Sequence, residues 1–280
     1  MTDCAIVIAT YNRSAELLRT LAHLTSLPER LAIVVVDNGC TDNTTAAVKA
    51  RYPDVRVVSL PRNIGAAART VGAREVEVPF IAFCDDDGWW TPGALTQAVE
   101  VLRNNPRLGL LNARMVVGDE QLLDPACREM AKSDDCSIAF FLGGACVMRR
   151  SAFLDVGGYH HRFHIGAEES LVALDLAQAG WELRYLEELV VHHYPSTTTR
   201  FPEERRRLVM RNRVWTAWLR GSASRAVKAT LNLMRDALQD GVARAALYDA
   251  LRGIPWVLRE RRPVSPHLQP SLELMRDPVG

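Results

Sequence analysis

The chain has 280 residues, 48% of them hydrophobic and 24% charged, which is typical of a soluble globular protein whose core needs no disulfide or structural metal. The formal net charge of +1 gives no reason to expect nucleic acid or another highly charged partner. No basic segment followed by an apolar one opens the chain, and no apolar run approaches the ~20 residues of a spanning helix, so we expect neither a signal peptide nor a transmembrane segment.

The first part of the chain alternates short apolar runs with helical patterns. Apolar runs rich in β-branched residues predict strands at residues 4–9, 32–36, 55–60 and 79–84. Helix start signals and apolar spacing predict helices at 16–24 with Ser14 as cap, after Asp42 or Asn43, and from the Asn63-Ile64-Gly65 turn to about residue 76. This alternation predicts a parallel sheet with right-handed crossovers, buried on both faces.

The middle of the chain is less regular, and its end is helical. We predict helices at 91–104 and 168–179, a short helix from Ser151 to the Gly157-Gly158 break, and strands at 108–117, 145–148, 182–185 and 189–193. Residues 118–136 are polar and are interpreted as an irregular loop. Helices are then predicted at 203–220 and, as a pair, within 223–258, before an irregular tail from 262.

Three consecutive carboxylates, Asp85-Asp86-Asp87, follow the fourth predicted strand. Charges this close repel one another, and a divalent cation would relieve the repulsion. Mg²⁺ and Mn²⁺ favour oxygen ligands, and Mg²⁺ is often held by one or two carboxylates together with substrate phosphates. Alternation along a strand would turn Asp85 and Asp87 to one side and Asp86 to the other. We predict that Asp87 holds the metal; a solvated turn that caps a helix is the alternative.

Polar residues also end the first two strands. Thr10 and Asp37 stand at strand ends equivalent to that of Asp85. Because the carboxyl ends of parallel strands meet at one edge of an open α/β sheet, and ligands bind at that edge, we expect a shared site there.

The motifs at this edge resemble those of the family 2 glycosyltransferases of the GT-A fold. The resemblance covers roughly residues 4–195 and rests on IVIATYNR, VVVDNGCTDNT, RNIGAAAR and FCDDD at successive strand ends. Two later matches are GGACVMRRSAFLDVGGY and GAEESLVALDLAQAGWEL. It implies an α/β class fold, with the GT-A, Rossmann-like mixed sheet of nucleotide-diphospho-sugar transferases flanked by helices and followed by a C-terminal helical appendage.

The resemblance also implies an activity and a domain division. The family transfers a sugar with inversion from a nucleotide-diphosphate sugar, here a UDP-, GDP- or dTDP-sugar, to a hydroxyl-bearing acceptor, and Mg²⁺ or Mn²⁺ stabilises the leaving diphosphate. The catalytic domain would span 1–200, with a nucleotide-sugar half at 1–110 and an acceptor half at 111–200, and the helical region 201–280. Some processive members carry a Gln-x-x-Arg-Trp motif; its absence favours transfer of a single sugar.

The family's nucleotide contacts come from the first three loops and the acidic motif. Transferred to this chain, they imply a nucleotide-sugar site formed by Thr10, Tyr11, Arg13, Asp37, Arg69, Asp85, Asp86 and Gly144. Asp37 would accept a hydrogen bond from the base, and Asp85 would face the ribose or base. The residue types leave alternatives open: Tyr11 could pack on the sheet edge, Asp37 could cap the next helix, and Arg69 could be an exposed helix residue.

Two acids at the start of a later helix, Glu168 and Glu169, are the candidate general bases. An acid there is stabilised by the helix N-terminus and can deprotonate an attacking hydroxyl. The family usually has Glu-Asp here, with the second acid as base, which favours Glu169 and leaves Glu168 as the alternative. The resemblance further implies that His193 ligates the metal or contacts the diphosphate, with His192 on the opposite face of the strand.

Other aromatic residues have more than one interpretation. The histidines at 160, 161 and 164 suggest a mobile loop near the donor or acceptor rather than a metal cluster. Trp89 and Trp90 could stack on an acceptor or pack beneath the acidic run.

Helix 203–220 is rich in arginine and tryptophan. Packing against the core with solvated arginines is favoured over peripheral contact with an anionic membrane. No nucleic-acid motif accompanies the arginines. Six scattered cysteines without a CxxC pair indicate reduced thiols. We therefore expect a cytoplasmic protein, with attachment at the inner face of the membrane as the alternative, and an acceptor that is a small molecule, a glycan or a lipid-linked compound.

Two rival functions stay open. A sugar nucleotidyltransferase would share the fold, but such enzymes carry a Gly-rich phosphate loop after the first strand, and ATYNRSAE contains no glycine. A non-catalytic nucleotide-sugar-binding protein would lose the base or a metal ligand, whereas both types of acid are present here.

Overall fold

The computed structural model describes residues 3–132, 138–195 and 202–269. The strands are β1 Cys4–Thr10, β2 Ala32–Asp37, β3 Arg56–Ser59, β4 Phe80–Cys84, β5 Gly88–Trp90, β6 Leu108–Val117, β7 Leu122–Leu123, β8 Ala145–Arg149 and β9 Glu182–His193. The helices are α1 Ser14–Thr25, α2 Thr44–Arg51, α3 Ala67–Arg74, α4 Ala94–Asn104, α5 Pro125–Met130, α6 Arg150–Asp155, α7 Glu168–Gln178, α8 Pro202–Arg220, α9 Ala223–Ala237 and α10 Gly241–Arg259, with a 3₁₀ turn at Pro266–Leu268.

One mixed sheet organises the chain from β1 to β9. Its strand order is β3-β2-β1-β4-β8-β6-β9-β5, with β7 paired to β6. The first four strands are parallel, as predicted. β8 is antiparallel to both β4 and β6, whereas β9 is parallel to β6 and β5 antiparallel to β9. The predicted mixed sheet flanked by helices is therefore confirmed.

The core lies on both faces of this sheet. Along β1, Ile6 and Ile8 pack into the cluster that contains α1 and α4, while Ala5 and Val7 pack into the cluster beneath α3 and α6. Because successive side chains point to opposite faces and both faces are covered, each position must be apolar. That burial explains the continuous apolar run in the sequence.

The structure differs from the sequence prediction near the sheet's far edge. The two strands predicted at 182–185 and 189–193 form one strand, β9, whose pairing with β6 jumps from Leu186 to Val190. This bulge accommodates the exposed Glu187 and Glu188. The short strand β5 was not predicted, because three residues carry no periodic signal.

Two local predictions were also wrong. Residues 118–136 are not wholly irregular: they contain β7 and α5, and the Asp124 carboxylate caps α5 by accepting from the Ala126 N–H at 2.8 Å. Residues 133–137 lie outside the described residues. Ser14 is the first residue of α1 rather than its cap, since Arg13 occupies the cap position.

The three predicted C-terminal helices are present as α8, α9 and α10. They pack on one another, and they contact the sheet-bearing part of the chain through Trp215 and Trp256, which cluster with Phe163 and Leu171. An ion pair between Arg220 and Asp175 of α7 joins the same two parts. The predicted boundary at 196–202 falls largely outside the described residues. No helix in the described ranges is long and apolar enough to cross a membrane.

Candidate active site

The carboxyl ends of β1, β2 and β4 bring the predicted residues together. Thr10 and Asp37 are directly paired in the parallel register of β1 and β2, and the acidic run follows β4, the other neighbour of β1. The first part of the site is thus a direct consequence of the strand order.

Asp86 points into the protein and is 5% exposed. Its carboxylate accepts a hydrogen bond from the Thr10 hydroxyl at 2.8 Å and pairs with the Arg13 guanidinium at 2.8 Å. The Thr20 hydroxyl donates to the Asp86 backbone carbonyl at 2.9 Å. Burial raises the pKa of Asp86 to about 7, although Arg13 opposes the shift. These contacts indicate that Asp86 anchors the acidic run, whereas Asp85, the most exposed of the three, is half-buried and Asp87 is buried.

Asp87 is held from two sides. Arg13 Nη2 donates to its Oδ2 at 2.7 Å, and His193 Nε2 lies 3.2 Å from its Oδ1. Burial alone would raise the pKa of Asp87, but the hydrogen bonds and charges of His193 and Arg13 outweigh it and keep the pKa below its usual range. The side chain is therefore a carboxylate at neutral pH, which is the form that a metal ion requires.

Asp85, Asp87 and His193 form a group whose ligand atoms all lie within 4.8 Å of one another. The carboxylates suit Mg²⁺ or Mn²⁺, and imidazole nitrogen is a common metal ligand, so this donor set fits a divalent cation. Pairing of β5 with β9 sets Gly88 opposite His193, which explains how a residue a hundred positions downstream reaches the acidic run.

Arg69 and Gly144 fix the position of Asp85. The Arg69 guanidinium forms an ion pair with the Asp85 carboxylate and lies 5.9 Å from the centre of the Tyr159 ring. A β-carbon at Gly144 would come closer than 3.0 Å to both carboxylate oxygens. Asp85 therefore lies directly against the backbone of the Gly-Gly segment, and Arg69 is not the exposed helix residue considered from sequence.

Glu168 and Glu169 stand at the N-terminus of α7. Glu168 is 3% exposed, and within the described residues its Oε2 has no hydrogen-bond partner. Burial and the neighbouring Glu169 raise the pKa of Glu168 to about 8. Glu169 is more exposed, and its Oε1 lies 2.9 Å from the place where a β-carbon on Gly143 would be. Burial also raises the pKa of Glu169, while Arg69 and Arg205 oppose the shift.

Asp37 ends β2, and Tyr11 follows the last residue of β1. The Asp37 carboxylate accepts hydrogen bonds from the Cys40 N–H at 2.7 Å and from the Thr45 hydroxyl in α2. Burial alone would raise the pKa of Asp37, but these hydrogen bonds lower it. Asp37 thus orders the loop before α2. This role is similar to the helix-capping role that the sequence left open for it. Tyr11 is 43% exposed and does not pack into the sheet edge.

The remaining aromatic candidates are packed within the protein. Trp90 is buried, and Trp89 is stacked between His23 at 3.9 Å and Tyr194 at 4.9 Å, so both have the packing role. His160 stacks on Trp256 of α10, with ring centres 5.0 Å apart, so this loop contacts the helical region. Within the described residues, the histidines of this loop belong to no metal-ligating group.

Two buried asparagines that support the site were not predicted from the sequence. Asn38 is buried and bonds through its amide to Asn63 and the Gly65 carbonyl, which fixes the turn before α3 and Arg69. Asn212 of α8 donates to the Phe163 and Gly166 carbonyls at 2.9 and 2.6 Å, just before Glu168. Asn38 lies in the VVVDN motif and could have been noticed; no local signal marks Asn212.

The sequence profile described as Glycosyl transferase family 2 matches residues 5–157 of the chain. Two Mycobacterium tuberculosis enzymes are among the similar proteins. An N-acetylglucosaminyl-diphospho-decaprenol L-rhamnosyltransferase is 27% identical over 246 residues, covering 72% of this chain and 80% of its own. A pre-mycofactocin glycosyltransferase is 29% identical over 213 residues, covering 71% of this chain and 44% of its own.

Solved structures share the fold at low sequence identity. The mannosyltransferase PcManGT from Pyrobaculum calidifontis, in complex with GDP-Man and Mn²⁺, superposes with a TM-score of 0.60 at 19% identity, covering 98% of this chain and 85% of its own. Residues 1–349 of S. aureus TarS, in complex with UDP, give a TM-score of 0.61 at 19% identity, covering 99% of this chain and 87% of that one. These likenesses show the GT-A fold.

Proposed function

The chain is a glycosyltransferase of family 2, and we propose that it moves a single sugar, with inversion, from a nucleotide-diphosphate sugar to an acceptor hydroxyl. One observation carries the proposal most directly. The carboxylates of Asp85 and Glu169 lie against two consecutive residues, Gly144 and Gly143. A candidate metal ligand and a candidate base are thereby held side by side at the ligand-binding edge of the sheet.

We assign the leaving-group side to Asp85, Asp87 and His193. A divalent cation held there would neutralise the charge that develops on the diphosphate as its bond to the sugar breaks. Arg13 keeps Asp87 ionised and oriented through its 2.7 Å hydrogen bond, and Arg69 holds the Asp85 carboxylate in position through their ion pair. Mn²⁺ and Mg²⁺ are both compatible with this donor set.

We assign the acceptor side to Glu169. Its carboxylate would take the proton of the acceptor hydroxyl while that oxygen forms a bond to the anomeric carbon and the bond from this carbon to the diphosphate breaks. Attack opposite the leaving group inverts the anomeric centre. A base is most effective when its pKa lies near the working pH, and the raised pKa of Glu169 moves it in that direction. Glu168 is buried, and its pKa is raised to about 8, so it is suited to staying protonated beside Glu169.

We assign the nucleotide to the rim formed by Thr10, Tyr11 and Asp37. The exposed Tyr11 ring offers a surface for the base, and aromatic rings stack well on planar partners. Asp37 keeps lone pairs beyond its contacts with Cys40 and Thr45 and can accept from the base. Division into a catalytic domain at 1–200, with nucleotide-sugar and acceptor halves meeting near 110, and a helical region at 201–280 belongs to the same proposal.

Names of the similar proteins guide the choice of substrates. One solved neighbour holds GDP-Man with Mn²⁺ and another holds UDP, so both nucleotides are candidates beside dTDP. The name of the rhamnosyltransferase relative describes an acceptor linked to decaprenol through a diphosphate. We therefore propose a lipid-linked acceptor ahead of a small molecule or a free glycan, and work at the cytoplasmic face of the membrane.

A thermal-shift screen of UDP-, GDP- and dTDP-sugars, each with and without Mn²⁺, tests the donor side. One nucleotide series should raise the Tm, and the rise should require Mn²⁺, because a ligand that binds the folded state stabilises it. Asp87→Asn should abolish the metal-dependent rise, whereas Asp54→Asn, at an exposed turn before β3, should retain it. No rise with any donor, or release of pyrophosphate from a nucleoside triphosphate, would contradict the proposal.

A further inference from the structure

Exposed apolar side chains are concentrated on the last two helices. Ten large hydrophobic residues are exposed in the described ranges, and seven of them lie on α9, on the residue that caps its C-terminus, or on α10. They are Val227, Leu231, Met234, Leu238, Tyr248, Leu251 and Leu258. We call the surface that carries them the outer face. Single exposed apolar residues need no explanation, but a concentration of this kind marks an interaction site.

On α9 the exposed residues form a continuous stripe. Val227, Leu231, Met234 and Leu238 follow spacings of four, three and four residues, which place them on one side of a helix. The buried side of α9 is a different one. It consists of Ala226, Leu233 and Ala237, which pack within the helical region. The stripe is therefore not the core-facing side of α9.

Cations border the apolar residues of both helices. Lys228 and Arg235 are exposed one position after Val227 and Met234 of the stripe. On α10 the exposed residues include Tyr248, Leu251 and Leu258 together with Arg244, Arg252 and Arg259. The acid of α10, Asp249, is instead occupied by a bidentate pair with Arg207 of α8 at 2.7 and 2.8 Å.

The charge of the helical region differs from that of the rest of the chain. Residues 202–262 contain 14 basic and six acidic side chains and so carry +8. Since the whole chain carries +1, the remainder carries −7. The positive charge is thus confined to the part of the molecule that also exposes the apolar stripe.

Helix α8, which sequence analysis considered for membrane contact, is engaged elsewhere. Three of its arginines pair with acids, Arg206 with Asp240, Arg207 with Asp249 and Arg220 with Asp175. The indole N–H of Trp215 donates to the Ala250 carbonyl at 3.0 Å, and Trp215 is buried. The packing alternative therefore describes α8, and the exposed amphipathic surface lies on α9 and α10.

We propose that the outer face of α9 and α10 docks on the surface of a bilayer that contains anionic lipids. The apolar side chains would enter the boundary between headgroups and acyl chains, and the lysine and arginines would lie at lipid phosphates. A second copy of this chain is a poor occupant, because pairing two such faces would bring two +8 regions together. The proposal goes beyond the proposed function and does not depend on it.

Co-sedimentation of the full chain with vesicles tests this proposal without donor or acceptor. The protein should bind vesicles of phosphatidylcholine mixed with phosphatidylglycerol, bind phosphatidylcholine alone more weakly, and dissociate as salt is raised. Leu231→Glu combined with Leu238→Glu should weaken partitioning by about tenfold or more, because two exposed leucines lose their apolar contact. Lys228→Glu with Arg235→Glu should remove the preference for anionic vesicles.

A matched control distinguishes binding through the outer face from nonspecific adsorption of exposed leucines to vesicles. Leu122 is 57% exposed, as is Leu231, but lies on β7 in the catalytic part, so Leu122→Glu should leave vesicle binding unchanged. Equal binding by wild type and the Leu231/Leu238 variant, or no binding of anionic vesicles by wild type, would overturn the proposal. A concentration-dependent dimer that the leucine variant dissolves would also overturn it, in favour of a second copy. The Mn²⁺-dependent donor shift should persist in every variant, so its loss would bear on the proposed function alone.

Discussion

Gly144 lies so close to Asp85 that a β-carbon at position 144 would approach both carboxylate oxygens of Asp85 to less than 3.0 Å. The contact involves the end of a side chain that can rotate, so an alanine would displace Asp85 rather than unfold the protein. Because Asp85 also pairs with Arg69 and lies within 4.8 Å of the ligand atoms of Asp87 and His193, its displacement would disturb the whole group.

Gly144→Ala should therefore reduce kcat/KM by about 100-fold, the cost of a small misplacement at a catalytic centre, and change the Tm little. Gly241→Ala at the start of α10 is a suitable control, since its β-carbon would meet only Arg244 at 3.6 Å. Steady-state transfer rates and thermal melts of both variants test whether Gly144→Ala lowers kcat/KM without lowering the Tm. Full activity of Gly144→Ala would show that the position of Asp85 is not critical.

His193→Ala should raise the Mn²⁺ concentration needed for half-maximal transfer, because one of the three candidate ligands is lost. His192→Ala should not, since His192 is turned toward Trp89, with ring centres 6.0 Å apart, on the other side of the same strand. Transfer rates measured across a Mn²⁺ titration compare the two variants. Identical titration curves for wild type and His193→Ala would remove His193 from the metal site.

Glu169→Gln should retain the donor-induced thermal shift and lose about 10²–10⁴-fold in transfer rate, the typical contribution of a general base. Glu168→Gln should keep most of the activity, since a side chain that is protonated near neutral pH resembles an amide in charge and size. Single-turnover transfer by the two variants distinguishes their roles. If Glu168→Gln is the inactive one, the base is Glu168.

Glu168 should make stability depend on pH. Its pKa is raised from 4.5 to about 8 on folding, so its contribution to stability is fully present below pH ~4.5 and is lost as pH rises through about 8. Glu168→Gln cannot ionise and should lack this loss. Urea unfolding of both proteins from pH 5 to pH 8.5 should show the wild type losing stability relative to the variant. Parallel pH profiles would mean that Glu168 is ionised in the folded protein at no cost.

Asn212→Ala should affect both stability and catalysis. The variant removes the amide donor to the buried Gly166 carbonyl, at a cost of about 1–3 kcal/mol, while the Phe163 carbonyl keeps its hydrogen bond from Arg211. It also loosens the segment that leads into Glu168 and Glu169, so kcat should fall while donor binding is retained. Asn232→Ala, at an exposed position of α9, should change neither quantity. Unchanged kcat in Asn212→Ala would mean that α8 does not help to position the acids.

The strand-end residues could be located from sequence alone because the information is local. Continuous apolar runs define buried parallel strands, and such strands place Thr10, Asp37 and Asp85 at one edge whatever the rest of the chain does. For the same reason the bounds of α7 and α8 were predicted within two residues, and α9 and α10 were predicted as a pair within 223–258. Glu168 was recognised as a helix N-terminal acid, and its role as base or partner to Glu169 stays a prediction.

Contacts between segments that are distant in the chain could not be predicted from local sequence patterns. His160 stacks on Trp256, almost a hundred residues later. The sequence favours an α8 that packs against the core with solvated arginines, yet Arg207 and Arg220 have acidic partners on other helices. The residues within the His160 loop and within α8 do not indicate which distant residues each segment will contact after folding.

The sequence by itself determined the family, the GT-A fold and the acidic run, since these depend on short-range patterns of apolar and polar residues. Only the tertiary structure decided what each carboxylate faces. Asp86 turns inward to Thr10, Asp87 meets Arg13 and His193, and Asp85 lies on Gly144. The physical reason is that three adjacent, chemically identical side chains differ only in their surroundings, and those surroundings come from strands and helices that are remote in the chain.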